Sequence, residues 1–138
     1  MNTEIKKIFV SLEVAKLMDE KQFNGECLAY YDEHGELYLF DKPLKNSSML
    51  RGFTAATVNQ CLNWLRDKHK TLITIELLRF AYDSEKDNIH CPDNIFKYKI
   101  IKLDSWFSHY IENTHQIYDY NLSANKAILE ALNLIKFK

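Results

Sequence analysis

The stretch 54–75, TAATVNQCLNWLRDKHKTLITI, constrains the fold more than any other part of the chain. Val58, Cys61, Leu62 and Leu65 recur at i, i+3, i+4 and i+7, which is one buried stripe of an α-helix, with Trp64 flanking it. Thr54 or Thr57 starts the helix as its N-cap. Arg66, Lys68, His69 and Lys70 crowd its last turn, where the helix dipole favours positive charge. Aliphatic and β-branched residues follow at once, so the helix feeds directly into a strand over 72–80.

The remaining elements alternate in kind. Ser11 caps a first helix with Val14, Leu17 and Met18 at helical spacing, and Asn24-Gly25 stops it. The segments 27–31 and 36–40 read as a hairpin across Asp32-Glu33-His34-Gly35, where glycine supplies a positive φ. Leu37 and Leu39 share one face of the second strand and Tyr38 and Phe40 the other, which predicts cover on both sides. Residues 41–53, with Pro43, Ser47-Ser48 and Gly52, read as a loop long enough to be a lid, a binding segment or a contact surface. A polar loop is expected over 83–94, closed by Pro92. A strand over 95–103 places Phe96, Tyr98 and Ile100 on one face and Lys97 and Lys99 on the other. The segments 106–112 and 116–120 read as strands on aromatic content, with a short helix at 105–111 as the alternative. Ser123 caps a final helix whose stripe is Ala124, Ala127, Ile128, Ala131 and Ile135. The order predicts an α+β class: one domain over 1–138, with an antiparallel or mixed sheet of about four to six strands packed against three helices.

Composition narrows the function. A chain of 138 residues can bury a core of its own, and its eight Tyr and eight Phe favour sheet. Three Gly and two Pro argue against a linker or a disordered tract. A net charge of −1 argues against affinity built on nonspecific phosphate attraction. Cys27, Cys61 and Cys91 are odd in number and form no CxxC pair, so neither a disulfide framework nor a zinc site is expected. Cys27 and Cys61 fit buried thiols in a reducing cytoplasm. The segment MNTEIKKIFVSLEV has no apolar h-region and no run of 18 apolar residues occurs, so neither a standard signal peptide nor a membrane span is expected.

No motif of chemistry stands out. His34, His69, His90, His109 and His115 include no pair at the i, i+4 spacing that converges on a metal. No GxSxG elbow surrounds a serine, and Cys61 lies on a core stripe where thiols are inert. Asp19-Glu20 and Asp32-Glu33 are sequence neighbours that diverge on a helix or sit solvated in a turn. Gly25, Gly35 and Gly52 are too far apart for a phosphate loop. No catalytic residue, metal or cofactor is expected. The aromatic residues Tyr30, Tyr38, Tyr98 and Tyr110 are of the kind that anchors protein contacts. Arg66, Lys68, Lys97, Lys99 and Lys102, interleaved with Phe96 and Tyr98, make a single-stranded nucleic-acid groove the alternative, which the overall charge disfavours.

The segment 55–69, AATVNQCLNWLRDKH, resembles one in small proteins of gut-bacterial phages and prophages, where a pattern like APTYQQVxxWLREKH leads into strands. Ala55, Thr57, Gln60, Trp64, Leu65, Arg66, Lys68 and His69 match; Ala56 replaces the proline, and Val58 and Asn59 replace Tyr-Gln. FNGECLAYYDEHGELY (23–38) is similar to that family's Phe-Asp/Asn-x-x-Cys-x-x-Tyr-Tyr hairpin, and SANKAILEALNLIK (123–136) to its Ala-rich final helix. Residues 76–115 match poorly. The resemblance implies a mobile-element protein of unassigned function and carries over no catalytic residue. Together these readings predict a non-catalytic interaction protein that binds a protein partner or a second copy of itself.

Overall fold

The computed structural model describes residues 3–49, 51–78, 95–104, 107–117 and 120–134. After a four-residue turn of helix, α1 (Thr3–Lys6), the chain enters α2 (Leu12–Glu20). Ser11 Oγ accepts the Val14 N–H at 3.3 Å, the expected cap. α2 buries Val14, Ala15 and Met18. It ends before Asn24-Gly25, because Gln22 takes a positive φ of 66° and turns the chain out of the helix.

α3 (Val58–His69) starts at Thr57, whose hydroxyl accepts the Gln60 N–H at 3.1 Å. Val58, Cys61 and Leu65 are buried and Leu62 is half-buried, so the expected stripe is the core face. Lys70 closes the helix in the left-handed conformation, and its N–H returns to the Leu65 carbonyl. α4 (Tyr120–Leu134) begins four residues earlier than a cap at Ser123 implies. Ser123 is therefore no cap but a buried first-turn residue, and its hydroxyl has no partner among the described residues. Ala124, Ala127, Ile128 and Ala131 are buried as expected, joined by Leu132; Ile135 lies outside the described residues.

The strands divide between two antiparallel sheets. The first holds β1 (Cys27–Tyr31), β2 (Leu37–Leu44) and β3 (Phe53–Ala55) in the order β2-β1-β3. The second holds β4 (Thr71–Leu78), β5 (Ile95–Asp104) and β6 (Phe107–Ile117) in sequence order. α3 lies between β3 and β4 in the chain, and no strand of one set pairs with a strand of the other among the described residues. The strands expected over 106–112 and 116–120 are joined in the continuous β6, with strand rather than helix over 107–111 and no break over 113–115; residues 105, 106, 118 and 119 lie outside the described residues. The loop expected over 83–94, with His90 and Cys91, lies outside the described residues.

The 41–53 segment is largely ordered structure rather than a loop. β2 continues through Pro43 to Leu44, as an edge strand tolerates, and a 3-10 turn (Asn46–Ser48) leads back to β3. Asn46 fixes that turn. Its Oδ1 accepts the Thr54 N–H at 2.9 Å and hydroxyl at 3.0 Å, and its Nδ2 donates to the Phe23 carbonyl at 3.1 Å. Gly52 has φ +85°, and a Cβ there would collide with the Tyr31 carbonyl oxygen.

α4 ties the α+β domain together, because it packs on α2, on α3 and on all three strands of the second sheet. Its alanine stripe lets the other elements approach closely. Asn125 Oδ1 accepts the Ser11 N–H at 2.8 Å, across 114 residues of sequence. Segment 8–10 pairs with the junction of β3 and α3: Val10 N–H donates to the Ala56 carbonyl and Val58 N–H to the Ile8 carbonyl, each at 2.9 Å. Among the described residues no helix is long and apolar enough to cross a membrane.

Candidate interaction face

The β1–β2 hairpin is built by one carboxylate. Asp32 Oδ1 accepts the backbone N–H groups of His34 (2.8 Å) and Glu36 (2.9 Å), while Gly35 takes φ +80°. These hydrogen bonds, that from Glu36 foremost, hold the Asp32 carboxyl below its ordinary pKa. The turn sets the register Tyr30↔Tyr38 and Ala29↔Leu39. Strand alternation then decides what faces where. Cys27, Ala29 and Tyr31 point into the core, and the Tyr31 hydroxyl donates to the Val10 carbonyl at 2.6 Å. Leu28 and Tyr30 point outward.

The outward face is aromatic. Tyr30 and Tyr38 stack with centroids 5.6 Å apart, and Phe40 meets Tyr30 edge-on at 6.2 Å. Leu28 is 54% exposed, Tyr38 46% and Phe40 41%. Leu39, on the other side of the strand, is 51% exposed because β2 is the sheet edge. Of the two faces expected to be covered, that of Leu37 is buried at Leu37 itself, while that of Tyr38 and Phe40 is open among the described residues. Asp32, then Glu36, surround the Tyr38 phenol with negative charge and raise its pKa. The face is therefore apolar at its centre and acidic at the turn. Leu28 escaped notice in the sequence, although the period-2 pattern of CLAYY puts it beside Tyr30.

The four tyrosines do not share one surface. Tyr98 is 1% exposed on the core face of β5, and its hydroxyl donates to Glu130 Oε2 at 2.6 Å. Its place opposite α4 makes it a packing residue, which corrects its reading as a contact anchor and as a stacking platform. Tyr110 pairs with Ile101 in β6, and its side chain lies outside the described residues.

The basic set is also divided. Lys97 and Lys99 project from the face of β5 opposite Tyr98, and Lys99 pairs with Glu76 at 3.5 Å. Lys102 stands on the Tyr98 side, opposite Thr71. Strand parity forbids the three lysines from forming one stripe. Arg66 and Lys68 are exposed at the end of α3, where Arg66 pairs with its neighbour Asp67 at 3.1 Å.

Both described thiols are buried. Burial raises the pKa of Cys27, and does so far more strongly for Cys61. Among the described residues no group of three His, Cys, Asp or Glu side chains is arranged to hold a metal. Comparisons with protein-family models, curated proteins and solved structures gave no match.

Proposed function

We propose that the protein is a non-catalytic interaction module of a phage or integrated mobile element, which binds a protein partner on the outer face of β1 and β2. The observation that carries this reading is the contiguous Leu28, Tyr30, Tyr38 and Phe40 surface on a sheet edge. Exposed apolar patches with stacked tyrosines are typical of contact surfaces, since aromatics supply large area at low entropic cost. A free strand edge adds main-chain donors and acceptors that a partner strand can pair with. Asp41, Lys42 and Pro43 blunt the far end of that edge, leaving the aromatic portion as its open part. The resemblance of 23–38 to phage hairpins concerns this same element.

The test uses the double variant Tyr38→Ala with Phe40→Ala, and Lys97→Ala as the control. Partners retained by the wild-type protein from host extract are purified and titrated by calorimetry, and self-association is read by sedimentation. The expected result is a saturable complex, or a dimer, that the double variant weakens at least about tenfold while the control does not. A complex untouched by the double variant overturns the reading.

A further inference from the structure

The open edge of β2 is shaped for one particular neighbour. Asp32 N–H donates to the Glu36 carbonyl at 2.9 Å. Antiparallel ladders alternate, so Tyr38, opposite Tyr30, also turns its main-chain groups to β1. Leu37 and Leu39 turn theirs to the edge, where no strand pairs with β2 among the described residues. Past Leu39 the strand bulges, because the register passes from Ala29↔Leu39 to Cys27↔Leu44 and residues 40–43 stand opposite Leu28 alone. Phe40 still meets Tyr30, so side-chain alternation carries through it. Leu39 is half exposed although it shares a face with the buried Leu37.

Glu36, Tyr38, Phe40 and Lys42 follow one another on the outward face. Laid antiparallel against itself about Leu39, this segment is self-complementary. Glu36 falls opposite Lys42 of a second copy, Tyr38 opposite Phe40, and Leu39 opposite Leu39, and the two-fold axis repeats the charged and the aromatic pair. On the other face Leu37 falls opposite the exposed Asp41. Displacing the second copy along the edge in either direction unpairs both charges. Pro43, which has no N–H to give, falls opposite Gly35 of the turn, just past the last pair. Charges on a strand edge keep unrelated strands away, and only this register matches them.

We infer, resting on the reading of β1 and β2 as a contact surface, that the occupant of the β2 edge is a second copy of this chain, paired antiparallel about Leu39. The pairing joins two three-stranded sheets into one continuous sheet of order β3-β1-β2-β2-β1-β3. The Leu39 N–H and carbonyl groups exchange hydrogen bonds across the axis, and each Leu39 side chain gains cover from the other. The aromatic rows of both copies run together on one face. A contact made by one strand pair is small, so the dimer is weak and concentration-dependent.

Sedimentation equilibrium of the full chain, from micromolar to near-millimolar concentration, is expected to show a passage from monomer to dimer. Glu36→Lys and Lys42→Glu each set like charges opposite one another at both ends of the pairing, and each should weaken the dimer at least about tenfold. The two single variants, mixed, should pair with each other, and the double variant Glu36→Lys with Lys42→Glu should regain wild-type association. Amide hydrogen exchange of the wild-type protein gives a readout free of substitution. Exchange of the Leu39 N–H should slow as concentration rises, far more than that of Tyr38, which already faces β1. Three results each overturn the pairing: a chain monomeric throughout, a charge reversal that mixing does not rescue, or a Leu39 amide indifferent to concentration. A monomer that still holds an extract partner through Tyr38 and Phe40 overturns the self-pairing alone. A dimer untouched both by charge reversal and by the Tyr38→Ala, Phe40→Ala variant overturns the contact face with it.

Discussion

Among single residues, environment separates side chains that composition treats alike. Tyr98 and Tyr38 are both strand tyrosines, yet one is sealed under α4 and the other lies on the open edge. Tyr98→Ala should cost about 3–5 kcal/mol in chemical denaturation, in the range of a large core truncation. Tyr38→Ala should cost only about 0.2–1 kcal/mol, the range of an exposed cross-strand aromatic pair. Equal effects would mean that β5 presents its other face. His69 gives a pH signature with a definite sign. Its folded pKa lies below the unfolded value, through burial first and then Lys21 and Lys102. The unfolded chain therefore takes up the proton more readily. Stability should be unaffected above the unfolded pKa, fall as pH drops between the two values, and level off below the folded one. His69→Asn should remove this component from the stability–pH profile. Lys102→Gln should raise the His69 pKa.

Elements with strong local chemistry were legible in the sequence, and those set by distant partners were not. The Val58, Cys61, Leu65 spacing located α3 and left its start between Thr54 and Thr57, of which Thr57 is the cap, since capping and periodicity are local forces. The Asp32–Gly35 turn fixed β1 and the start of β2 for the same reason. The 41–53 segment misled because Pro43 and Gly52 look like breakers. In fact Pro43 sits on an edge strand, and Gly52 makes room for the Tyr31 carbonyl. Ser123 resembled a cap because it precedes the alanine stripe, although Asp119, also a residue of capping type, directly precedes the helix start at Tyr120. The aromatic face was only half legible: alternation gave the side of the strand, but not that β2 would be an edge. Leu65→Ala should cost about 2–5 kcal/mol, and half-buried Leu62→Ala clearly less. Denaturation midpoints in the reverse order would show that the α3 stripe is rotated.

Across the whole molecule, long-range contacts hold the two sheets in one domain. The Asn125 side chain satisfies the backbone of Ser11 at the head of α2, and the alanine stripe of α4 lies against α2 and both neighbours. Asn125→Ala leaves that N–H short of its partner and should lower stability by about 1–3 kcal/mol. A single cooperative transition should persist, with coincident near- and far-ultraviolet dichroism; separate transitions for the two sheets would contradict the shared core. The position of α4 also has a consequence during synthesis. Ribosomes deliver α2, β1, β2 and β3 long before the helix that covers Val14, Ala15 and Met18. Until residues 120–134 clear the exit tunnel, the nascent chain carries an uncovered apolar surface, which is the state that chaperones and proteases survey.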